Sequence, residues 1–100
     1  MADMMIFDST FYNLQKAIDN ASRSQAIIAH NIANANTPGY VGMDFDKILG
    51  KAVRREDGRG IIIEEEMASL AENNIEYSAY IKLVSSKINI LKTIVTQGRR

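Results

Sequence analysis

The sequence predicts an all-α chain. Two long heptad-patterned helices pair as a helical hairpin or coiled coil, and a short connector between them is either irregular or a small β-hairpin. Three observations carry this. Apolar residues recur at alternating steps of three and four through both halves of the 100-residue chain. Its single proline, Pro38, stands between the two periodic runs. A run of three glutamates, Glu64-Glu65-Glu66, opens the second run. Alternating three-four steps average 3.5 residues, which is the spacing of one stripe along a supercoiled helix.

The first helix is expected to begin at Phe11, capped by Asp8, Ser9 or Thr10, whose side-chain oxygens can accept the free N–H groups of a first turn. Its seam is Phe11, Leu14, Ile18, Ala21, Gln25, Ile28, Ile32 and Ala35, and only Gln25 breaks the apolar character. It should stop near residues 34–36. Thr37 precedes proline and is steered out of the α region. Pro38-Gly39 then suits the centre of a type II turn, where glycine supplies the positive φ. Residues 1–40 form one segment on this reading.

Residues 41–62 form the connector. The stretch "MDFDKIL" alternates too weakly to assign. Asp57-Gly58 could close a small hairpin between residues 52–55 and 61–63; an irregular connector is the other reading.

The second helix covers residues 63–100. Its glutamates suit a helix start, where carboxylates meet the positive end of the dipole. The seam is Met67, Leu70, Asn74, Tyr77, Ile81, Val84, Ile88, Leu91 and Val95. Asn74 is the one polar member. Gln25 and Asn74 occupy equivalent heptad phases and either fix register by facing each other or mark where each seam reaches water. A second apolar face, Ile75, Ala79, Leu83, Ile90 and Ile94, lies opposite the first seam at 100° per residue. A helix apolar on two sides wants more than one neighbour. A lone hairpin buries too little to offset the entropy of ordering it, so the helices are expected to complete their burial by assembling, or within a small dimeric bundle.

Composition excludes several functions. Twelve Lys+Arg balance twelve Asp+Glu, so no net charge favours nucleic acid or anionic lipid. The absence of cysteine removes disulfides and thiolate zinc sites. One histidine, His30, cannot assemble a metal site or a catalytic triad, and no cofactor is expected. No apolar run is long enough to span a bilayer. The N-terminal stretch "MADMMIFDSTFYNL" has acids but no basic residue before its short apolar patch, so no cleaved secretory signal peptide is expected. Nothing in the pattern supports catalysis.

"NIANANTPGY", residues 31–40, resembles the signature near the N-terminus of bacterial flagellar axial proteins, an asparagine-rich helix end running into a Thr-Pro-Gly-Tyr turn. The C-terminal half is similar to the same family. It carries Glu-Met, an Asn-x-x-Tyr element and an apolar tail with Leu-Lys-Thr, and the middle is shorter than members usually have. The resemblance implies a structural subunit of the proximal rod of the flagellar basal body. Such a subunit leaves the cytoplasm through the flagellar type III export apparatus, without a cleaved signal peptide, and stacks helically in the periplasmic space to transmit torque. Its partners would be copies of itself and other rod and basal-body proteins, with neither nucleic acid nor direct membrane insertion. The signature residues implied are Asn31, Ile32, Asn34, Asn36, Thr37, Pro38, Gly39 and Tyr40. The asparagine amides would bond sideways to neighbouring subunits at the helix end, or else serve as αL-tolerant terminators. A soluble helical-hairpin adaptor or chaperone of a secretion system is the alternative.

Overall fold

Two helices and a two-stranded hairpin are ordered α1 (Ser9–Ala33), β1 (Met43–Asp46), β2 (Lys51–Arg54) and α2 (Ile63–Gly98). The computed structural model describes residues 9–55 and 60–98. Helix α1 already includes Ser9 and Thr10, and the third candidate cap, Asp8, lies outside the described residues.

The helices run antiparallel. Asn31 near the end of α1 meets Glu66 in the first turn of α2, and the Ala21 carbonyl, farther back, meets Asn73. Counted back from that contact at 1.5 Å per residue, Ser9 draws level with about residue 85. The last turns of α2 therefore run past the described start of α1. The molecule is correspondingly long, 65 × 23 × 15 Å, with a radius of gyration of 18.5 Å; a compact chain of this length would have about 13 Å. It exposes 7513 Å², against about 5,700 Å² for a compact protein of its mass. Among the described residues, Ala21 and Ile28 are the only buried apolar side chains.

On α1 the heptad positions face inward: Ala21 and Ile28 are buried, and Phe11, Leu14, Ile18, Gln25 and Ile32 half-buried. On α2 the inward face departs from the expected seam at every second step. Leu70, Tyr77, Val84 and Leu91 are half-buried, but the steps between them fall on Glu66, Asn73, Tyr80 and Lys87. Met67, Asn74, Ile81 and Ile88, one residue later in each case, are exposed. Both stripes keep the three-four alternation and share four positions. Hydrogen bonding decides between them, because Glu66 and Asn73 each have a buried partner on the inward side and would lose it if α2 turned to bring Met67 and Ile81 inward. Gln25 and Asn74 consequently do not face each other within the chain. Asn73, not Asn74, lies in the helix interface, and its Nδ2 donates to the Ala21 carbonyl at 2.8 Å.

The hairpin also forms elsewhere than at Asp57-Gly58, which lies outside the described residues. Residues 51–54 pair antiparallel with 43–46, Met43 opposite Arg54 and Asp46 opposite Lys51, while Ile63 already belongs to α2. The turn explains the choice. Asp46 Oδ1 accepts the N–H groups of Ile48 and Leu49 at 2.9 and 3.1 Å. The N–H of Gly50 closes on the Asp46 carbonyl at 2.7 Å, with Gly50 at φ +68°. An aspartate that bonds ahead to its own turn and a glycine in the left-handed region together stabilise this connection.

Candidate assembly site

The segment 31–40 is where α1, the hairpin and α2 converge, and its three asparagines do three different things. Helix α1 ends in overlapping tight turns, the Asn34 N–H reaching the carbonyls of His30 and Asn31 and the Ala35 N–H that of Ile32. Asn34 terminates the helix locally. Its Nδ2 donates to the His30 carbonyl at 2.9 Å and its Oδ1 accepts from the Thr37 hydroxyl at 3.2 Å. Asn36 is exposed. The N–H of Tyr40 donates to the Thr37 carbonyl at 3.2 Å and Gly39 has φ +78°, so Thr37-Pro38-Gly39-Tyr40 is a turn with glycine where the type II form needs it.

Asn31 is buried completely, with 0% of its surface exposed. Its carboxamide is saturated. Nδ2 donates to the Met43 carbonyl at 2.8 Å and to Glu66 Oε2 at 3.2 Å. Oδ1 accepts from the Met43 N–H at 3.0 Å and from the Tyr40 hydroxyl at 2.7 Å. One side chain thus holds the end of α1 to the first residue of β1, to the turn and to α2. No capacity is left for a sideways bond to a neighbouring subunit, so that implied role does not apply to Asn31.

Glu66 carries the network onward. It is 3% exposed, and its other oxygen, Oε1, pairs with Arg55 Nη1. Arg55 Nε donates to Asp44 Oδ1 at 2.8 Å, and the Arg55 N–H donates to the Gly42 carbonyl at 2.9 Å. The hydrogen bond to Glu66 is the main cause holding the Arg55 guanidinium well above the usual arginine range. Burial raises the Tyr40 phenol above its ordinary value; nearby Arg55 opposes this and Glu66 adds to it. Gly42 leaves room for the arginine, since a Cβ there would stand 2.8 Å from Ile61 Cδ1 and 3.1 Å from Arg55 Cδ. His30 is exposed and packs edge-on to the Tyr40 ring, centroids 5.5 Å apart.

Sequence reasoning takes Glu66 as part of a helix start and gives no role to Arg55 or Asn73. A signal for Glu66 and Asn73 was present: they stand at three-four steps from Leu70 and Tyr77 just as Met67 and Asn74 do, and hydropathy alone favours the wrong member of each pair. For Arg55 the sequence carries no such signal. Every buried side-chain polar atom of the network has a hydrogen-bond partner, so the arrangement orients three elements. The described residues include no cluster of His, Asp or Glu able to hold a metal ion, and no described helix is long and apolar enough to cross a membrane.

Comparison with known proteins bears on this same segment. A family profile described as flagella basal body rod protein matches residues 11–40, from the first seam residue of α1 to the tyrosine that bonds Asn31. The flagellar basal body rod protein FlgB of Bacillus subtilis (strain 168) is 27% identical to this chain, with 96% of the chain and 100% of the relative covered. FlgB of Proteus mirabilis (strain HI4320) is 21% identical over 91% of the chain and 96% of the relative. The Aeromonas hydrophila protein is 23% identical over 88% and 94%. Over nearly its whole length the chain is similar to flagellar basal body rod proteins.

These relatives are structural rod proteins, not enzymes, and the likeness supports a basal-body rod component among other basal-body components. The B. subtilis rod protein aligns over 129 positions, to which this chain contributes 96% of its 100 residues, so 33 positions have no counterpart here. The 39% identity with a second P. mirabilis FlgB sequence is confined to 51 residues. The Asn31 network is an internal brace.

Proposed function

We propose that this protein is a structural subunit of the proximal rod, exported through the flagellar type III apparatus without a cleaved signal peptide and assembled helically in the periplasmic space. There, with copies of itself and other rod proteins, it transmits torque. One observation carries the reading beyond the likeness to rod proteins. Alternate steps of the second heptad seam, Met67, Ile81 and Ile88, are left outward at 57%, 41% and 39% exposure, while buried polar bonds hold the chain's own hairpin together. A protein with its brace inside and its apolar stripe outside is prepared to be covered by neighbours. An adaptor of fixed size would cover that stripe itself.

The signature divides between the two tasks. Asn31 and Tyr40 brace the chain, Ile32 lies half-buried at the end of α1, and Asn34 ends the helix. Asn36, Thr37, Pro38 and Gly39 are exposed on the turn and form the part assigned to neighbouring subunits. Export is tested by fractionating host cells with and without a functional flagellar export gate. The chain should appear outside the cytoplasm only in the first. Equal cytoplasmic retention in both strains would overturn the export assignment.

A further inference from the structure

The outer face of α2 carries a pattern that the rod reading does not use. Ala68, Ile75, Ala79, Leu83 and Ile90 are all exposed, and at 100° per residue they lie within about 40° of Ala79 around the helix. Ile75, Leu83 and Ile90 are large apolar residues with 71%, 53% and 61% exposure. The pattern is nearly symmetric about Ala79: Ile75 and Leu83 stand four residues to either side, and Ala68 and Ile90 eleven. Charge is antisymmetric about the same point. Glu64, Glu65, Glu66, Glu72 and Glu76 precede it, and Lys82, Lys87 and Lys92 follow it, Glu66 and Lys87 being on the inward face of the helix.

We infer that a second copy of this chain packs on this face with its α2 antiparallel, about a two-fold axis at Ala79. The antiparallel arrangement brings Ile75 of one copy level with Leu83 of the other and Ala68 level with Ile90. It lays the acidic half of each helix along the basic half of its mate. An in-register parallel pair would set acid on acid and base on base, which is disfavoured. The small side chain of Ala79 allows close approach at the axis. Such a contact is isologous and closes at two copies. It therefore describes the unassembled chain, in which each copy shields the other's outer face. The inference rests on reading the chain as a subunit that associates with its own copies, and the export experiment above tests that reading separately.

Disulfide mapping decides it cleanly because the chain has no cysteine of its own. Three single variants of the full chain, Glu72→Cys, Ala79→Cys and Ser86→Cys, are purified, checked by circular dichroism for unchanged helicity, and mildly oxidised alone and in a mixture of the first and third. Residues 72 and 86 are seven to either side of the axis. The expected result is dimer from Ala79→Cys alone and from the mixture, with at least tenfold less from Glu72→Cys or Ser86→Cys alone. Self-cross-linking by all three variants would establish a parallel in-register pair and overturn the proposal. Cross-linking in the mixture without any at Ala79→Cys would mean a staggered head-to-tail contact and would also overturn it. So would the absence of dimer in every sample.

Discussion

Replacing Asn31 by alanine removes four hydrogen bonds at once, and their losses are unequal. The Tyr40 hydroxyl is only half-buried and can turn to water, and Glu66 keeps its ion pair with Arg55. The N–H and carbonyl of Met43 have less recourse, since both bonded inward to a side chain that is fully buried. Two main-chain groups left unsatisfied at about 1–2 kcal/mol each give a destabilisation of about 2–4 kcal/mol. That is a large part of the stability of a small domain. Asn34→Ala loses one local bond to the preceding turn and one to Thr37, both exposed, and should cost less than about 1 kcal/mol. Asn36→Ala should fall within about 0.5 kcal/mol of wild type. The assay is denaturant unfolding followed by far-ultraviolet circular dichroism at one fixed protein concentration. Equal effects at the three asparagines, or a loss below about 1 kcal/mol at Asn31, would refute the brace, since a buried carboxamide with four partners cannot be removed so lightly.

Gly39→Val should destabilise by about 1–3 kcal/mol, because a β-branched residue is forced to φ +78° in the turn; Gly39→Asn, which tolerates that region, should lose less in the same unfolding assay. Asn73→Ala should cost about 1–2 kcal/mol through its bond to the Ala21 carbonyl, whereas Asn74→Ala stays within about 0.5 kcal/mol; the reverse order would return the expected heptad seam to the interior. Burial raises the Tyr40 phenol above its ordinary 10.0. Its contribution is therefore complete below pH 10 and is lost as pH rises through the folded-state value. Tyr40→Phe should flatten the alkaline limb of a stability–pH profile above that point, and an unchanged limb would contradict the assignment.

The helices, the stop ahead of Pro38 and the Pro38-Gly39 turn were legible because each depends on local chemistry: periodic burial, the steric rule before proline, and glycine's access to positive φ. The second seam was legible only to half its positions. Two adjacent stripes on α2 satisfy the same alternation, and the choice is made by long-range partners, Arg55 and Asn31 for Glu66 and the Ala21 carbonyl for Asn73. None of these is a neighbour in sequence. The hairpin was legible as a possibility but misplaced, since Asp57-Gly58 is the familiar two-residue signal and the five-residue turn from Asp46 to Gly50 is quieter. Asn31 stood out in composition, yet its inward orientation follows from where α1 ends relative to Met43 and Glu66, which heptad counting does not supply.

Rod membership is tested most directly in assembled basal bodies. These are purified from a host strain that lacks the gene and carries either a tagged wild-type copy or the empty vector, and are then probed for the tag, with swimming recorded in parallel. A rod subunit should co-purify with the basal bodies through detergent extraction, and the wild-type copy should restore motility that the empty vector does not. Recovery of the chain only as a soluble cytoplasmic oligomer of fixed size, with normal swimming in its absence, would contradict that function.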